Sequence, residues 1–191
     1  MSEKQPKEVR KGSLLDAAIE EFLEKGYEGA SVDAIAKRAG VSKGGLYHHF
    51  RNKEELMLGV NKKLSEPIYE MIEKACSNPS VIEGMRQYIR DYLSHWATRP
   101  KELGFYFLST SKAFESVILM DYYREYMNEY TDIITGLYKK AADRGEIEIE
   151  DPEAYGLALI GTLDGVLSYV ITGSQTDITV LAERVGKVLL R

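Results

Sequence analysis

Apolar residues return at every third and fourth position along nearly the whole chain, and runs of strict alternation long enough for a sheet are few. That spacing puts the apolar side chains on one face of a helix turning once per 3.6 residues, so it predicts an all-α fold of about nine helices. Glycine and proline cut the pattern into lengths. The first helix is expected from roughly Gly12 to Lys25, burying Leu15, Ile19, Phe22 and Leu23, with Gly26 as its stop. Ser31 is placed to cap a second that carries Val32, Ile35, Ala36 and Ala39, with Gly40 just past its end. Ser42 caps a short third through His49. A fourth runs from about Lys53 to Cys76, and Pro67 is expected to kink or split it. Ser80 starts a fifth that ends near Arg99, since the residue before Pro100 disfavours helix. Pro100 opens a sixth, a long seventh runs from Val117 to Arg144, and Asp151-Pro152 opens an eighth that closes at Gly173. The last begins near Asp177 and buries Ile178, Leu181, Val185, Val188 and Leu189. One alternation, Glu146 to Glu150, lacks an evident partner strand and is read as a solvated connection.

A chain of 191 residues with 44% hydrophobic content has enough material for a real core. Its single cysteine, Cys76, can form neither an intrachain disulfide nor a thiolate zinc cluster, which fits a reducing cytoplasmic setting. The basic start, with Lys4, Lys7, Arg10 and Lys11, lacks the apolar core of a signal peptide. The most apolar stretch, Leu157 to Thr172, is interrupted by Asp164 and is shorter than the roughly 20 residues of a membrane helix, so no membrane association is expected. The net charge of -5 is unevenly spread: 12 basic residues face 10 acidic ones up to Lys63, and 13 face 20 beyond it. Within Ser31 to Lys53, Lys37, Arg38, Lys43, Arg51 and Lys53 oppose only Asp33. A small basic module is joined to an acidic one.

The basic module has the grammar of a helix-turn-helix. Ala36 lies four positions before Gly40 and allows a close helix crossing, Gly40 supplies the turn, and Ile35, Val41 and Leu46 form a miniature core. Lys43, Tyr47 and His48 are left on the outer face. A helical hairpin with a merely solvated basic face has the same spacing.

The residues Gly26-Tyr27, Ser31, the run from Gly40 through Val41-Ser42-Lys43-Gly44-Gly45-Leu46-Tyr47-His48-His49 to Phe50, and Lys53-Glu54-Glu55-Leu56 closely resemble the DNA-binding domain of TetR-type transcriptional regulators. The resemblance covers about Val9 to Lys63, and the remainder matches in length and helix count only. It implies a DNA-binding domain over 1–55, with a short N-terminal arm, and a helical effector-binding and dimerisation domain over 56–191. Chemistry assigns the DNA-facing roles. Ser31 and Ser42 cap helices whose N-terminal amides suit phosphates, although Ser31 serves equally as a cap alone. Lys43 reaches a base edge or phosphate, Gly44 and Gly45 let the helix backbone approach, and Tyr47 and His48 contact phosphate or a base edge, unless Tyr47 only packs on the module. Similarity to the family points to His49 and Lys53 as phosphate contacts. Many relatives carry a larger side chain at Gly45, which thins direct readout and shifts weight to groove shape. The adjacent histidines point about 100° apart with no acidic or thiol ligand nearby, so no metal is expected, and no cofactor either.

A reader of this size binds weakly alone, so a homodimer on a near-palindromic operator in double-stranded DNA is expected. In the eighth helix Ala154, Ala158, Gly161, Gly165, Ser168 and Thr172 form a stripe of small side chains. The family dimerises through its last two helices, which adds Leu181, Val185 and Val188 to the expected interface; packing within the chain is the other reading of the stripe. Eleven of 13 tyrosines follow Lys63. Tyr88, Tyr92, Trp96, Tyr123, Tyr126 and Tyr130, with Met71, Met85, Phe105 and Met127, are what an apolar pocket needs, though each alone also fits plain core. The resemblance implies a small-molecule effector there; aromatic and acidic content favours a lipophilic or cationic one over a polyanion. The expected function is a repressor that its effector releases from DNA. A dimeric DNA-binding regulator that answers a protein partner, or nothing, is the alternative. No nucleophile elbow, phosphate loop or His-Glu-x-x-His occurs, so an enzyme is not expected.

Overall fold

A computed structural model describes the backbone of residues 7–173 and 176–191, with side chains from Lys11 onward among them. The N-terminal arm expected before the first helix falls largely outside the described residues. Among those described, nine α-helices and one 3-10 turn follow in order: α1 Lys7–Gly29, α2 Val32–Arg38, α3 Lys43–Tyr47, α4 Lys53–Ser77, α5 Val81–Ala97, α6 Pro100–Lys112, the turn Ala113–Glu115, α7 Val117–Asp143, α8 Pro152–Ile171 and α9 Ile178–Leu189. No strand occurs among the described residues, and Glu146 to Glu150 is a connection between helices.

Two expectations change. Helix α1 begins five residues before Gly12, while Gly26 (φ 69°, ψ 167°) leaves helical geometry as its position implies and breaks the regular run, with one more turn of helical residues as far as Gly29. Helix α4 runs through Pro67 without splitting. A proline removes one backbone donor and crowds the preceding turn, but the burial of Ile68 and Ile72 just beyond it holds the helix together.

Contacts divide the chain into two compact units, residues 1–65 with 105–120, and residues 66–104 with 121–191. The first unit centres on Leu14, Phe22, Ile35, Leu46, Leu56 and Met57, all essentially without exposure. Gly59 is needed where α4 meets α1: a Cβ there would lie 2.8 Å from Leu15 Cδ2 and 3.0 Å from Phe50. Phe105 stacks on Phe22 at 5.2 Å, and the Ser109 hydroxyl donates to Asn61 Oδ1 at 3.1 Å. The end of α6 thereby belongs to the same body as the first three helices.

In the second unit, one face of α5 buries Val81, Met85, Tyr88, Ile89, Tyr92, Leu93 and Trp96, and α5 packs on α8 and α9. Glycines mark the closest approaches. A Cβ on Gly84 would sit 2.4 Å from the Ala75 carbonyl oxygen, and one on Gly156 would sit 2.6 Å from Thr135 Oγ1. The start of α5 is held from a distance: Glu146 accepts bonds from Ser80 Oγ (2.7 Å) and the Ile82 amide (3.0 Å), which lower its carboxyl pKa.

Helix α8 spans 20 residues, so by length and composition it is apolar enough to cross a membrane, contrary to the shorter stretch read from sequence. The helix starts where the sequence places it, with Asp151 accepting from the amides of Glu153 and Ala154; Leu157 to Thr172 is only its most apolar part, and the turn before it adds to the apolar length. Most of that apolar length is uncovered within the protomer.

Candidate nucleic-acid interface

The turn between α2 and α3 is built by local chemistry. Ser31 Oγ accepts from the Ala34 amide and Ser42 Oγ from the Gly45 amide, both at 3.1 Å, so each serine caps its helix as its position requires. Gly40 takes φ 69°, and the amides of Gly40 and Val41 return to the carbonyls of Lys37 and Ala36. Ile35, Ala36 and Leu46 are buried beneath. The remaining face of α3 points outward: Lys43, Gly44, Tyr47 and His48 are exposed, while Gly45 and His49 are half-buried. The two glycines differ. A Cβ on Gly44 would meet nothing within 4 Å, whereas one on Gly45 would lie 3.3 Å from the capping Ser42 Oγ. Gly45 therefore serves the cap as well as any approach to a ligand.

The basic run is partly neutralised. Arg38 turns inward to Glu20, Glu21 and Glu24 of α1 at 2.7 to 3.1 Å, which raises its pKa and locks α2 on α1. Lys43 Nζ lies 2.8 Å from Asp33 Oδ2, and that bond raises its pKa. Lys53 Nζ sits 4.5 Å from the Tyr27 ring centroid and donates to the Glu28 carbonyl at 3.3 Å; burial lowers its pKa. Among the described residues, exposed Lys37 has no ion pair, and the exposed Arg51 guanidinium reaches Glu55 at 3.8 Å, while its amide donates to the same carboxylate at 2.6 Å. The sequence does not distinguish these two from the rest of the run, because charge alone does not say which side chains are already engaged. No group of three or more His, Cys, Asp or Glu that could hold a metal occurs among the described residues.

Most of the residues expected in the effector cluster lie in the second unit. Met85, Tyr88, Tyr92, Trp96, Tyr123 and Tyr130 are buried; Met71 and Tyr126 are half-buried. The Tyr88 and Tyr130 hydroxyls bond to each other, and Tyr126 stacks on Tyr130 at 6.2 Å. Burial raises the pKa of both bonded tyrosines. Phe105 is not among them, since it stacks on Phe22 in the first unit, and Met127 faces outward. Three members went unread in the sequence. Tyr69 packs edge-on to Tyr126 at 6.3 Å with its hydroxyl pKa pushed up to about 12, chiefly by burial. Tyr122 stacks on Tyr126 at 6.2 Å, and Asp164 accepts from Tyr92 at 3.3 Å with its carboxyl pKa raised by burial. Tyr122 falls on the four-residue spacing of the α7 stripe and could have been found; Asp164 looked like a break in an apolar helix.

Of the expected interface, Ala154, Ala158, Gly161 and Ser168 are exposed and Gly165 is half-buried, with open space beside both glycines. Val188 is 56% exposed, Leu181 half-buried, and Val185 is buried within the protomer. Leu157 (58%) and Tyr169 (70%) extend the uncovered surface of α8.

A capped helix-turn-helix with an open, basic second helix, joined to a larger helical body, defines a DNA-binding transcriptional regulator rather than an enzyme. The bacterial regulatory proteins of the tetR family match residues 14–60. The fatty acid metabolism regulator protein of Bacillus subtilis is 28% identical over all of this chain and 97% of its own length, and the repressor AcnR of Corynebacterium diphtheriae is 27% identical over 88% and 85%. The crystal structure of the regulator FadR from Bacillus subtilis in complex with stearoyl-CoA superposes with a TM-score of 0.75 at 25% identity, over 94% of this chain and 97% of that one. These similarities support a TetR-type transcriptional regulator.

Proposed function

We propose that the protein is a cytoplasmic homodimeric repressor that binds a near-palindromic operator and is released from it by a lipophilic effector, an acyl thioester of coenzyme A. The observation that carries the DNA reading is the outward face of α3, where exposed Lys43, Tyr47 and His48 surround a bare Gly44 backbone. Residues 1–55 read DNA. Ser31 and Ser42 accept cap bonds yet keep a hydroxyl hydrogen for phosphate, Lys43, Tyr47 and His48 reach base edges or phosphate, Gly44 and Gly45 admit the backbone, and His49 and Lys53 hold phosphates. Residues 56–191 bind effector and dimerise, with α8 and α9 pairing across the two-fold axis. The exposed apolar length of α8 and the open sides of Gly161 and Gly165 support that pairing.

The effector class rests on full-length similarity to a fatty acid metabolism regulator and on the buried aromatic cluster, which suits an acyl chain. It departs from the compositional expectation against a polyanion, since the chain rather than the coenzyme is what the cluster would hold. Effector binding favours a dimer state in which α4, carrying Pro67, sets the two heads out of register. A coupling of about 1 to 3 kcal/mol weakens operator affinity roughly 5- to 150-fold. A gel shift on the promoter of the protein's own gene, with and without stearoyl-CoA, tests this: specific retention that the thioester abolishes is expected, and retention unchanged at saturating thioester refutes the effector class.

A second reading of the effector is favoured by Asp164, a largely buried carboxylate beside tyrosine rings, which suits an organic cation. Thermal-shift titration with a long-chain amine against the thioester separates the two. Stabilisation by neither leaves a regulator that answers a protein partner or no ligand.

A further inference from the structure

Lys53 rests on a cradle that another element holds in place. The Tyr27 ring and the Glu28 carbonyl contact its ammonium, while the Glu28 carboxylate is bonded by Lys112 Nζ at 2.8 Å, from the last residue of α6. Lys112 also reaches Glu115 Oε2 at 2.9 Å, and its side chain is only 20% exposed. The cradle needs such a hold. It follows directly on Gly26, whose φ of 69° breaks the regular helix, so helix geometry does not fix Tyr27 and Glu28 from the N-terminal side. Ser116, just past the 3-10 turn, adds a 3.3 Å bond to Glu54 beside Lys53. The whole assembly lies within the first compact unit.

We infer that Lys112 is a positioning residue for DNA binding: by holding Glu28 it fixes the Tyr27–Glu28 cradle and so presents the Lys53 ammonium to the phosphate backbone. This rests on the reading of Lys53 as a phosphate contact. Bonds to Lys112 dominate the lowering of the Glu28 pKa, so the carboxylate stays charged and the clamp persists at neutral pH. Because α6 is one unbroken helix from Pro100 to Lys112, the clamp is set by a helix end rather than by a loop.

The test is a double-mutant cycle on operator affinity, measured by fluorescence anisotropy on a promoter fragment across salt, with Lys112→Met, Lys53→Ala, the double variant and Lys112→Arg. Lys112→Met is expected to weaken binding about two- to fivefold per head, which two heads square, and to flatten the salt dependence. In the Lys53→Ala background it should do nothing further. Lys112→Arg, which keeps both ion pairs, should restore affinity and slope. An equal loss in both backgrounds, or no loss in either, overturns the inference. If Lys53→Ala itself leaves affinity and slope unchanged, the phosphate contact falls and the inference with it, an outcome distinct from additivity. Should Lys112→Met unfold the unit, Glu28→Gln removes the same bond from the other end and is read in the same cycle.

Discussion

Replacing Gly44 by alanine should raise stability and destroy operator binding at once, which few substitutions do. Gly44 lies inside α3, is exposed, and does not adopt a positive φ, so alanine fits its backbone. The added Cβ meets no heavy atom within 4 Å. Glycine in a helix costs about 0.5 to 1 kcal/mol relative to alanine, partly through the freedom of the unfolded chain. For a chain of this length that is worth roughly 1 to 4 °C in Tm. On DNA the methyl group would hold the start of α3 away from the groove. Losing one base contact of about 1 to 3 kcal/mol per head costs the dimer about 2 to 6 kcal/mol, or roughly 30-fold to 10⁴-fold in affinity. No charge is removed, so the slope of log affinity against log salt should stay the same. The assay pairs differential scanning fluorimetry with anisotropy on the operator fragment at several salt concentrations. Wild-type affinity for Gly44→Ala at every salt would show that the α3 backbone does not approach DNA. A lowered Tm would show that the glycine serves the fold instead.

The dimer reading predicts that Gly161→Glu, whose Cβ would have no neighbour within 4 Å, shifts sedimentation from dimer to monomer at micromolar concentration while leaving the thermal transition of the protomer in place; a persistent dimer would move the interface off this stripe. Burial raises the Asp164 pKa, so the folded state holds its proton more tightly than the unfolded chain does. Stability from this group is therefore present below the unfolded value of about 3.9 and is lost as pH rises through the folded value. Asp164→Asn should raise Tm at pH 7, and the gain should vanish near pH 3; an equal gain at both would remove desolvation as the cause. Gly59→Ala brings an overpacking cost of about 1 to 3 kcal/mol against Leu15 and Phe50, offset by the about 0.5 to 1 kcal/mol that a helical glycine forfeits, so a net loss of up to about 2 kcal/mol is expected, seen as a lower urea midpoint with an unchanged m value.

Order and type of the helices were legible in the sequence because each start carries local chemistry. Ser31, Ser42, Ser80, Asp151 and Asp177 all cap as their positions imply, and Gly40 takes the positive φ that ends α2. What was not legible depends on contacts far apart in sequence. No local signal ties Phe105 to Phe22 or Lys112 to Glu28, so the end of α6 could be assigned to an aromatic pocket on composition alone. Pro67 shows the same limit: its local cost is real, and the burial that keeps α4 in one piece is tertiary. Glu146 shows the same limit, since a residue in an apparently idle alternating run caps a helix 64 residues earlier.

The charge of the reader was legible in amount but not in availability. Ser31 to Lys53 carries five cations against one acid, yet Arg38 is committed to three glutamates of α1 and Lys43 to Asp33. On the proposed reading of Lys43 as a DNA contact, duplex DNA competes with Asp33 for it, and the competition does not treat all sequences alike. A phosphate merely exchanges one exposed ion pair for another, a trade worth little. A guanine edge offers two acceptors and fixed geometry, which an exposed carboxylate does not match. Pairing with Asp33 in the free protein thus lowers affinity for any duplex by a similar amount, while only a correctly placed base edge restores it. The acidic body works in the same direction, leaving the heads as the attractive surface. On that reading, selectivity comes as much from cations withheld from the backbone as from those presented to it.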